Sequence, residues 1–374
     1  MKSSRRVVTV LTLFLSFNLA SRLASAQSST AAERKTEAAR KGTIYLTREE
    51  ILEGAKKEGN LLVYPGVDEK AIPPLVSSFK KKYPFLDVKY GIVTGVPAIQ
   101  RQIFEMAAGK ANLDVFHAHT GFRGDYVRNN LYKKYDFKAM VEDGHLKVPA
   151  RAIDEGGGFI LSGANLGVLL YNTNLVPADK APTSWESCLD PQWRGKFAVD
   201  TRPYLLARLA ARWSEEKILD YAAKLKTNDP IWTRGHTTSL ERLITGELSV
   251  ICGISMHVWM RKVKTDPKVP VKMVVPNPLG VAFFESHAVY NQAKNPNAAL
   301  LWVEFFASKD GQEIVESLEP GRASFLVEGT AANKVTKDAN VSLCDGRCRD
   351  REEKLIERIA VEAWKFPKVG YTPK

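Results

Sequence analysis

The chain has 374 residues, of which 44% are hydrophobic, and 54 basic against 42 acidic side chains give it a formal net charge of +12. This length exceeds what one hydrophobic core usually covers, so two lobes are expected. The basic residues are dispersed, and runs such as those at 80–82 and 133–134 stand among apolar residues at helical spacing. That pattern is typical of solvated helix faces and argues against a nucleic-acid-binding protein.

The first 26 residues have the pattern of a secretory signal. Arg5 and Arg6 precede a 13-residue, predominantly apolar stretch at 7–19, and small residues follow at 24–26. The apolar stretch is shorter than the roughly 20 residues that a membrane span requires, and no later stretch reaches that length. We therefore expect cleavage after Ala26, leaving a net charge of +8, and a periplasmic protein that is not a lipoprotein because no cysteine lies near the cleavage site.

Helical and strand patterns alternate from residue 47 onward, which predicts an α/β fold with largely parallel sheets. Thr47, followed by acidic residues, is typical of a helix start, and Gly59 of a helix end. Strands are then predicted, each followed by a loop and a helix, at 61–64, 86–90 and 113–116. Because the carboxyl ends of parallel strands share an edge, the three loops are expected to line a ligand crevice.

Two apolar strands, at 159–162 and 166–171, are predicted to carry the chain into a second lobe. An amphipathic helix is predicted at 351–364, and the Ala-rich and charged leader is expected to be a frayed helix or disordered. The predicted division is a signal peptide at 1–26, a leader at 27–45, a first lobe at 46–160 and 271–320, a second lobe at 161–270, and a C-terminal helical extension at 321–374.

Four cysteines would enter an oxidising compartment, where disulfides are permitted but not required. Cys344 and Cys348 flank a turn sequence, so a local disulfide between them is plausible. Cys188 and Cys252 are equally consistent with buried thiols and with a disulfide.

Several stretches share a family pattern, at 61–83, 108–116, 170–173, 184–196, 246–247 and 295–312. Together they resemble the extracellular solute-binding proteins of ABC importers, and among these the ferric-ion-binding proteins. The resemblance extends over residues 50–320. It implies a two-lobed, type II periplasmic-binding-protein-like fold, with each lobe a sheet flanked by helices and the ligand cleft between the lobes. It also implies a monomer that closes on a small molecule or an ion and delivers it to a permease.

The resemblance also suggests where a transported metal ion would bind. In ferric-binding members, ligands come from the loops after the first and third strands and from a pair of tyrosines. The matching positions here are Asp68, His119 and His257, with Val258 replacing the second tyrosine. Phenolates suit ferric iron, so the missing tyrosines argue against iron, whereas one carboxylate and two imidazoles suit a divalent ion such as Zn²⁺ or Fe²⁺. Alternatively, His117 or His119 simply hydrogen-bonds to the backbone. No cofactor is expected.

A small organic anion or oxyanion is the other candidate solute. Thr237 and Thr238 open a predicted helix whose free N–H groups would attract an anion, although ordinary helix capping explains the same residues. Arg202 and Arg234 offer a bidentate clamp. The remaining candidates are two aromatic walls and three loop or hinge residues, namely Tyr204 and Trp232, and Val96, Thr120 and Glu285.

Two other functions are open alternatives: a ligand-sensing module for a membrane receptor, and a periplasmic hydrolase. The chain has neither a Gly-x-Ser-x-Gly nor a His-Glu-x-x-His motif. Ser255 and His257 are close in sequence, but residues two apart do not share a helix face. We therefore expect no enzymatic activity.

Overall fold

The computed structural model describes residues 30–283, 285–344 and 349–367. The predicted signal peptide lies outside these ranges, and so does Cys348 of the suggested Cys344–Cys348 disulfide. None of the helices within these ranges is long and apolar enough to cross a membrane.

The strands form a five-stranded sheet of order β2-β1-β3-β11-β4 and a seven-stranded sheet of order β12-β10-β5-β8-β6-β7, with β9 also on β5. In chain order the strands are β1 Asn60–Tyr64, β2 Asp87–Tyr90, β3 Val115–His117, β4 Ile160–Ser162, β5 Asn165–Asn172, β6 Phe197–Asp200, β7 Ile231–Thr233, β8 Val250–Ser255, β9 Val271–Val274, β10 Leu279–Ala282, β11 Glu285–Val289 and β12 Val341–Cys344.

Helices cover both faces of the sheets. In chain order they are α1 Ala31–Arg40, α2 Arg48–Glu58, α3 Ile72–Lys82, α4 Val96–Ala107, α5 Arg123–Arg128, α6 Phe137–Glu142, α7 Tyr204–Ala207, α8 Glu215–Thr227, α9 His236–Ile244, α10 Met256–Thr265, α11 Pro296–Ala307, α12 Lys309–Leu318, α13 Ala331–Thr336 and α14 Arg349–Arg358, which continues into a π-helical turn, Ile359–Ala363.

Local capping chemistry starts and ends α2 as predicted. Thr47 accepts a hydrogen bond from the Glu50 N–H, and the Glu50 side chain reaches back to the Thr47 N–H. Gly59 ends α2 with a φ of 65°, a left-handed conformation that glycine adopts without strain. The leader also forms a helix, α1, which buries Ala38 against the first lobe.

Alternating side chains of each sheet pack into two separate cores, one on each face of the sheet. In β3, Val115 packs with one cluster of the first lobe and Phe116 with the cluster on the opposite face. In β5, Leu169 and Leu170 divide between two clusters of the second lobe in the same way. This alternation confirms the predicted α/β architecture, in which helices flank both faces of each sheet.

The two sheets are mixed rather than largely parallel. Strands β1, β2 and β3 are parallel, and so are β6, β7 and β8, but β11 runs antiparallel to β3 and β5 runs antiparallel to β8. The reason is the connection between the lobes. The segments β4–β5 and β10–β11 run past each other in opposite directions, pairing Ser162 with Glu285 and Asn165 with Ala282.

Two predicted features of the domain division differ from the structure. Strand β9, expected to return the chain to the first lobe at residue 271, pairs with β5 in the second sheet, and β11 is the strand that returns. Strand β12 lies in a region where no strand was predicted, and it pairs in parallel with β10. Both are four-residue strands, and an apolar pattern of that length does not indicate which sheet it joins.

The C-terminal extension belongs to the second lobe. Trp364 is buried, and its indole N–H donates to the Ala222 carbonyl at 3.1 Å. Its ring packs against Trp232 with a centroid distance of 4.8 Å. Trp232 is therefore a packing residue, which corrects its assignment as a wall of the ligand site.

A disulfide joins Cys188 and Cys252, with a Cα–Cα distance of 6.1 Å. Both residues are buried, and the bond ties the short helix Glu186–Leu189 to β8. The sequence left open whether these two cysteines are buried thiols or form a disulfide, and the structure shows the disulfide.

Candidate functional site

Strand direction brings the candidate residues to two facing edges. In the first sheet, the carboxyl ends of β1 and β3 lie beside the amino end of β11, where His117 pairs with His287. In the second sheet, the carboxyl ends of β6, β7 and β8 share one edge with the amino end of β5. The crossings β4–β5 and β10–β11 connect these edges, so the predicted crevice lies where the two lobes meet.

A buried carboxylate organises the first-lobe edge. Glu285 is 1% exposed, its Oε2 lies 2.7 Å from His117 Nε2, and its Oε1 accepts from Arg322 Nε at 3.0 Å. Burial alone would raise the pKa of Glu285, but the Arg322 charge and the His117 side chain outweigh it and hold this pKa well below its usual range. Glu285 is thus neutralised within the protein and is not a free carboxylate for a ligand.

Arg322 is the main residue that the sequence analysis missed. Its guanidinium contacts Glu285 and Glu319 and donates to the Gly66 carbonyl at 3.3 Å. The stretch at 320–322 matches no motif, so only the mild signal of an arginine after Pro-Gly was available. Its role depends on long-range contacts, which sequence patterns do not report.

Two further histidines at the first-lobe edge, His287 and His119, bond to the backbone. His287 Nε2 donates to the Pro65 carbonyl at 2.8 Å, and burial lowers the pKa of His287 to about 4. His119 is half-buried, and its Nδ1 accepts from the Gly121 N–H at 3.2 Å. The predicted alternative, in which His117 or His119 bonds to the backbone, thus describes the Nδ1 contact of His119 but not His117, which lies against Glu285.

Asp200 organises the second-lobe edge. Its two carboxylate oxygens accept from Arg202 Nε and Nη2 at 2.9 and 2.8 Å, and one of them also accepts from the Gly235 N–H at 3.0 Å. Burial alone would raise the pKa of Asp200, but these hydrogen bonds and the Arg202 charge lower it. The predicted anion clamp is thereby corrected, because the Arg202 fork is already engaged by a carboxylate.

A polar cluster surrounds His236 at the same edge. The Ser255 N–H donates to His236 Nδ1 at 3.2 Å, so the ring proton of the neutral imidazole is assigned to Nε2. The Tyr204 hydroxyl lies 3.3 Å from His236 Nε2 and 3.5 Å from Ser255 Oγ. Burial lowers the pKa of His236 to about 4, so at neutral pH this ring is a hydrogen-bonding group and not a cation.

His257 marks the point where the two lobes face each other. It lies in the first turn of α10, and burial together with the Arg322 charge lowers its pKa to about 3. Glu285 of the first lobe and His236 of the second also act on this pKa. The ring is therefore close to titratable groups of both lobes.

Two helices begin at this edge without a side-chain cap. The N-cap of α9 is Gly235, with a φ of 108°, and the N-cap of α10 is Ser255, whose side chain does not cap the helix. Thr237 and Thr238 are exposed in the first turn of α9, so the structure does not support the reading of these threonines as the helix cap. Arg234 is exposed and forms no ion pair with the described residues.

The candidate metal ligands are not gathered into one site. Asp68 is exposed and caps the turn Glu69–Ala71 by accepting from the Lys70 N–H at 3.0 Å. Within residues 30–283, 285–344 and 349–367, no group of three or more His, Cys, Asp or Glu side chains is arranged to hold a metal ion. The predicted trio of Asp68, His119 and His257 is therefore not gathered in this structure, and metal binding by these three residues stays a prediction.

Two further candidates lie in the first-lobe loops. Val96 is half-buried as the first residue of α4, after Gly95, and that helix also lacks a side-chain cap. Thr120 begins the short helix Thr120–Phe122 that follows β3. Both positions stand at the carboxyl-end edge, as the strand order predicted.

Ser255, the serine considered as a nucleophile, is engaged by other groups. Ser255 is 1% exposed, and its hydroxyl donates to Asn165 Oδ1 at 3.0 Å. His236 accepts a hydrogen bond from the backbone N–H of Ser255 and not from its hydroxyl. Ser255 and His236 therefore do not form a nucleophile–base pair.

Several solved structures share the fold of this chain. Iron-bound HitA from Pseudomonas aeruginosa is 19% identical, with a TM-score of 0.62 over 80% of this chain and 99% of that one. Trichodesmium IdiA (FutA), in complex with iron and citrate, is 19% identical, with a TM-score of 0.64 over 80% and 99%. Apo FutA2 from Synechocystis PCC6803 is 18% identical, with a TM-score of 0.62 over 82% and 99%. These similarities confirm the two-lobed fold.

Comparison with curated proteins gave no match. The family model for bacterial extracellular solute-binding proteins, however, matches residues 111–345. That range covers more than half of the chain and includes both crossings, the second-lobe edge and the Glu285–Arg322 pair. The chain therefore belongs to the family of bacterial extracellular solute-binding proteins.

Proposed function

We propose that this protein is the periplasmic substrate-binding component of an ABC importer, and that it captures a small organic anion or oxyanion between its lobes. The main support is the charge arrangement of the crevice. The buried acids Glu285 and Asp200 are each neutralised by an arginine. Arg234 and the uncapped starts of α9 and α10 then supply positive potential at the second-lobe edge.

HitA and Trichodesmium FutA bind iron in their solved structures, which raises the alternative of a metal as the solute transported here. Tyr204 lies beside His236, and burial raises the pKa of its phenol, which is therefore protonated at neutral pH. Ferric iron prefers phenolate or carboxylate oxygen, and the buried carboxylates here already bind arginines. The anion is therefore the better-supported ligand.

A melting screen of residues 27–374 tests the ligand class, using phosphate, sulfate, phosphonates and small carboxylates. A bound ligand at 100 times its Kd stabilises the fold by about 2.7 kcal/mol, so even a weak solute raises the melting temperature measurably. Arg234→Ala should abolish the shift. Arg194→Ala is the matched control, because Arg194 is exposed on the same lobe and precedes β6, at the opposite end of the strands.

Native mass spectrometry before and after chelation tests whether the bound solute is instead a metal ion. If none of the anions stabilises the protein and chelation removes the mass of one metal ion, the anion proposal is wrong. The mass of the exported protein also tests the processing that we propose, with cleavage after Ala26 and Gln27 as the first residue.

The role in transport, as opposed to sensing, needs a cellular test. A strain that lacks this protein should fail to take up the stabilising anion, and the wild-type gene should restore uptake. Normal uptake combined with a lost transcriptional response to the anion would instead favour a sensor module.

A further inference from the structure

A third segment crosses between the lobes and contacts both of them. Residues 319–322 leave α12 of the first lobe and lead toward α13 and β12 of the second. In this crossing, the Arg322 side chain binds Glu285 and the Gly66 carbonyl of the first lobe. The Arg322 carbonyl accepts from the Ala164 N–H at 2.8 Å, which joins this crossing to the β4–β5 crossing.

Gly321 rests directly on the first turns of α10 in the second lobe. Its φ is +79°, and a Cβ built there would lie 2.6 Å from Met260 Sδ, 3.2 Å from Met256 Cε and 3.3 Å from the Cα of His257. The Gly321 N–H donates to Glu316 Oε2 at 3.1 Å, which holds this close approach in place from the first-lobe side. A side chain at this position would therefore force the Met260 side chain or the backbone of α10 to move.

We propose that Gly321 and Arg322 are positioning residues for the solute site, and that their contacts set the separation at which the two halves of the site face each other. Arg322 acts through Glu285 and the loop that contains Gly66. Gly321 acts through α10, which carries His257 and begins at the edge proposed to bind the anion. The proposal rests on the proposed function insofar as the solute binds between the lobes.

The test compares two glycines that have the same backbone restriction. Gly321→Ala and Gly329→Ala each place a side chain at a left-handed φ, of +79° and +90°, but a Cβ at Gly329 has no atom within 4 Å. Distances between the lobes are measured by electron paramagnetic resonance without any ligand. The nitroxides are attached through p-acetylphenylalanine at the exposed positions Lys138 and Lys224, so that the native disulfide is left intact.

We expect Gly321→Ala to shift the distance distribution, because the methyl group pushes α10 away from the crossing, while Gly329→Ala leaves it at the parent values. Met260→Ala removes the atom nearest to Gly321 and should shift the distribution in the opposite direction. The double variant Gly321→Ala, Met260→Ala should return the distance distribution toward that of the parent.

Parent-like distributions in both Gly321→Ala and Met260→Ala would overturn the proposal, and so would equal shifts in the two glycine variants. If Gly321→Ala does not fold, Met260→Ala alone decides. Because no solute is used, this outcome is independent of whether the anion screen succeeds. Where the screen does identify an anion, Gly321→Ala should weaken its binding at least tenfold. Adding Met260→Ala to that variant should restore the binding.

Discussion

At the scale of single residues, the site is built from buried charges that are compensated within the protein. Glu285 and Asp200 each lie against an arginine and accept further hydrogen bonds. A buried ion pair contributes little net stability, but removing one partner leaves the other charge buried and uncompensated. The position of such pairs at the crevice therefore makes the site sensitive to conservative substitutions.

Glu285→Gln should be strongly destabilising, because it leaves the buried Arg322 guanidinium with only part of its charge compensated. We expect a loss on the order of 3 kcal/mol in the free energy of unfolding, measured by urea titration at pH 7. Glu247→Gln is the control, since Glu247 forms a similar pair with Arg242 on the exposed surface and should leave stability unchanged. Equal stability of the two variants would contradict this account of Glu285.

The buried histidines predict how stability depends on pH. Burial lowers the pKa of His236 and His287 to about 4 and that of His257 to about 3, against an ordinary value of 6.5. Above pH 6.5 these rings are neutral in both the folded and the unfolded protein. As the pH falls from 6.5 toward 4, the unfolded chain binds protons that the folded protein does not, so folding stability falls.

We expect each of these histidines to cost about 2 kcal/mol of stability between pH 7 and pH 5. His287→Gln, which retains a donor for the Pro65 carbonyl, should therefore show a smaller loss over this interval than the parent. His145→Gln is the control, because His145 packs edge-on against Tyr45 away from the crevice. An unchanged slope for His287→Gln in urea titrations at the two pH values would disprove this assignment.

The sequence located these residues better than it identified their partners. His119, Glu285 and Thr237 stand at strand or helix ends, and local patterns reveal such ends. That Glu285 binds Arg322, and that Arg202 is held by Asp200, depends on how loops pack after the sheets form. Pairing of this kind is tertiary, and no local pattern reports it.

At the scale of elements, predictions succeeded where the determining chemistry is local. The start of α2 is fixed by Thr47 and Glu50, which cap each other within one turn. The start of α9 was placed one or two residues too late, because Gly235 takes the cap position that the threonines were expected to occupy. Strand β12 went unpredicted because its four residues gain their stability from pairing with β10.

The C-terminal helix shows that the extension is part of the second-lobe core. Trp364→Ala removes a buried ring that contacts Trp232 and Phe366 and should lower the free energy of unfolding by about 3–5 kcal/mol. Lys354→Ala, at an exposed position of α14, should change it by less than about 0.5 kcal/mol. Chemical denaturation followed by tryptophan fluorescence measures both. A loss in Trp364→Ala no larger than in Lys354→Ala would mean that the extension is only loosely attached.

At the scale of the whole molecule, two sheets with separate cores are joined, in the part of the chain that the structure describes, by three crossings. The existence of two lobes could be predicted from length and from the alternation of elements. The membership of β9 and β10 in the second sheet could not, because each apolar strand suits either sheet equally well until its neighbours are known. Separate cores also imply that the lobes can differ in stability.

The disulfide provides a way to test that independence, because Cys188 and Cys252 both lie in the second lobe. The bond spans 64 residues, and opening a loop of this length costs about 4 kcal/mol in the chain-entropy description. The double variant Cys188→Ser, Cys252→Ser should therefore speed amide hydrogen exchange in β6 and β8. Exchange in β1 and β3 of the first lobe should stay at parental rates. Equal acceleration in both sheets would mean that the lobes unfold as one unit, and a solute bound between them would then add stability without having to couple them.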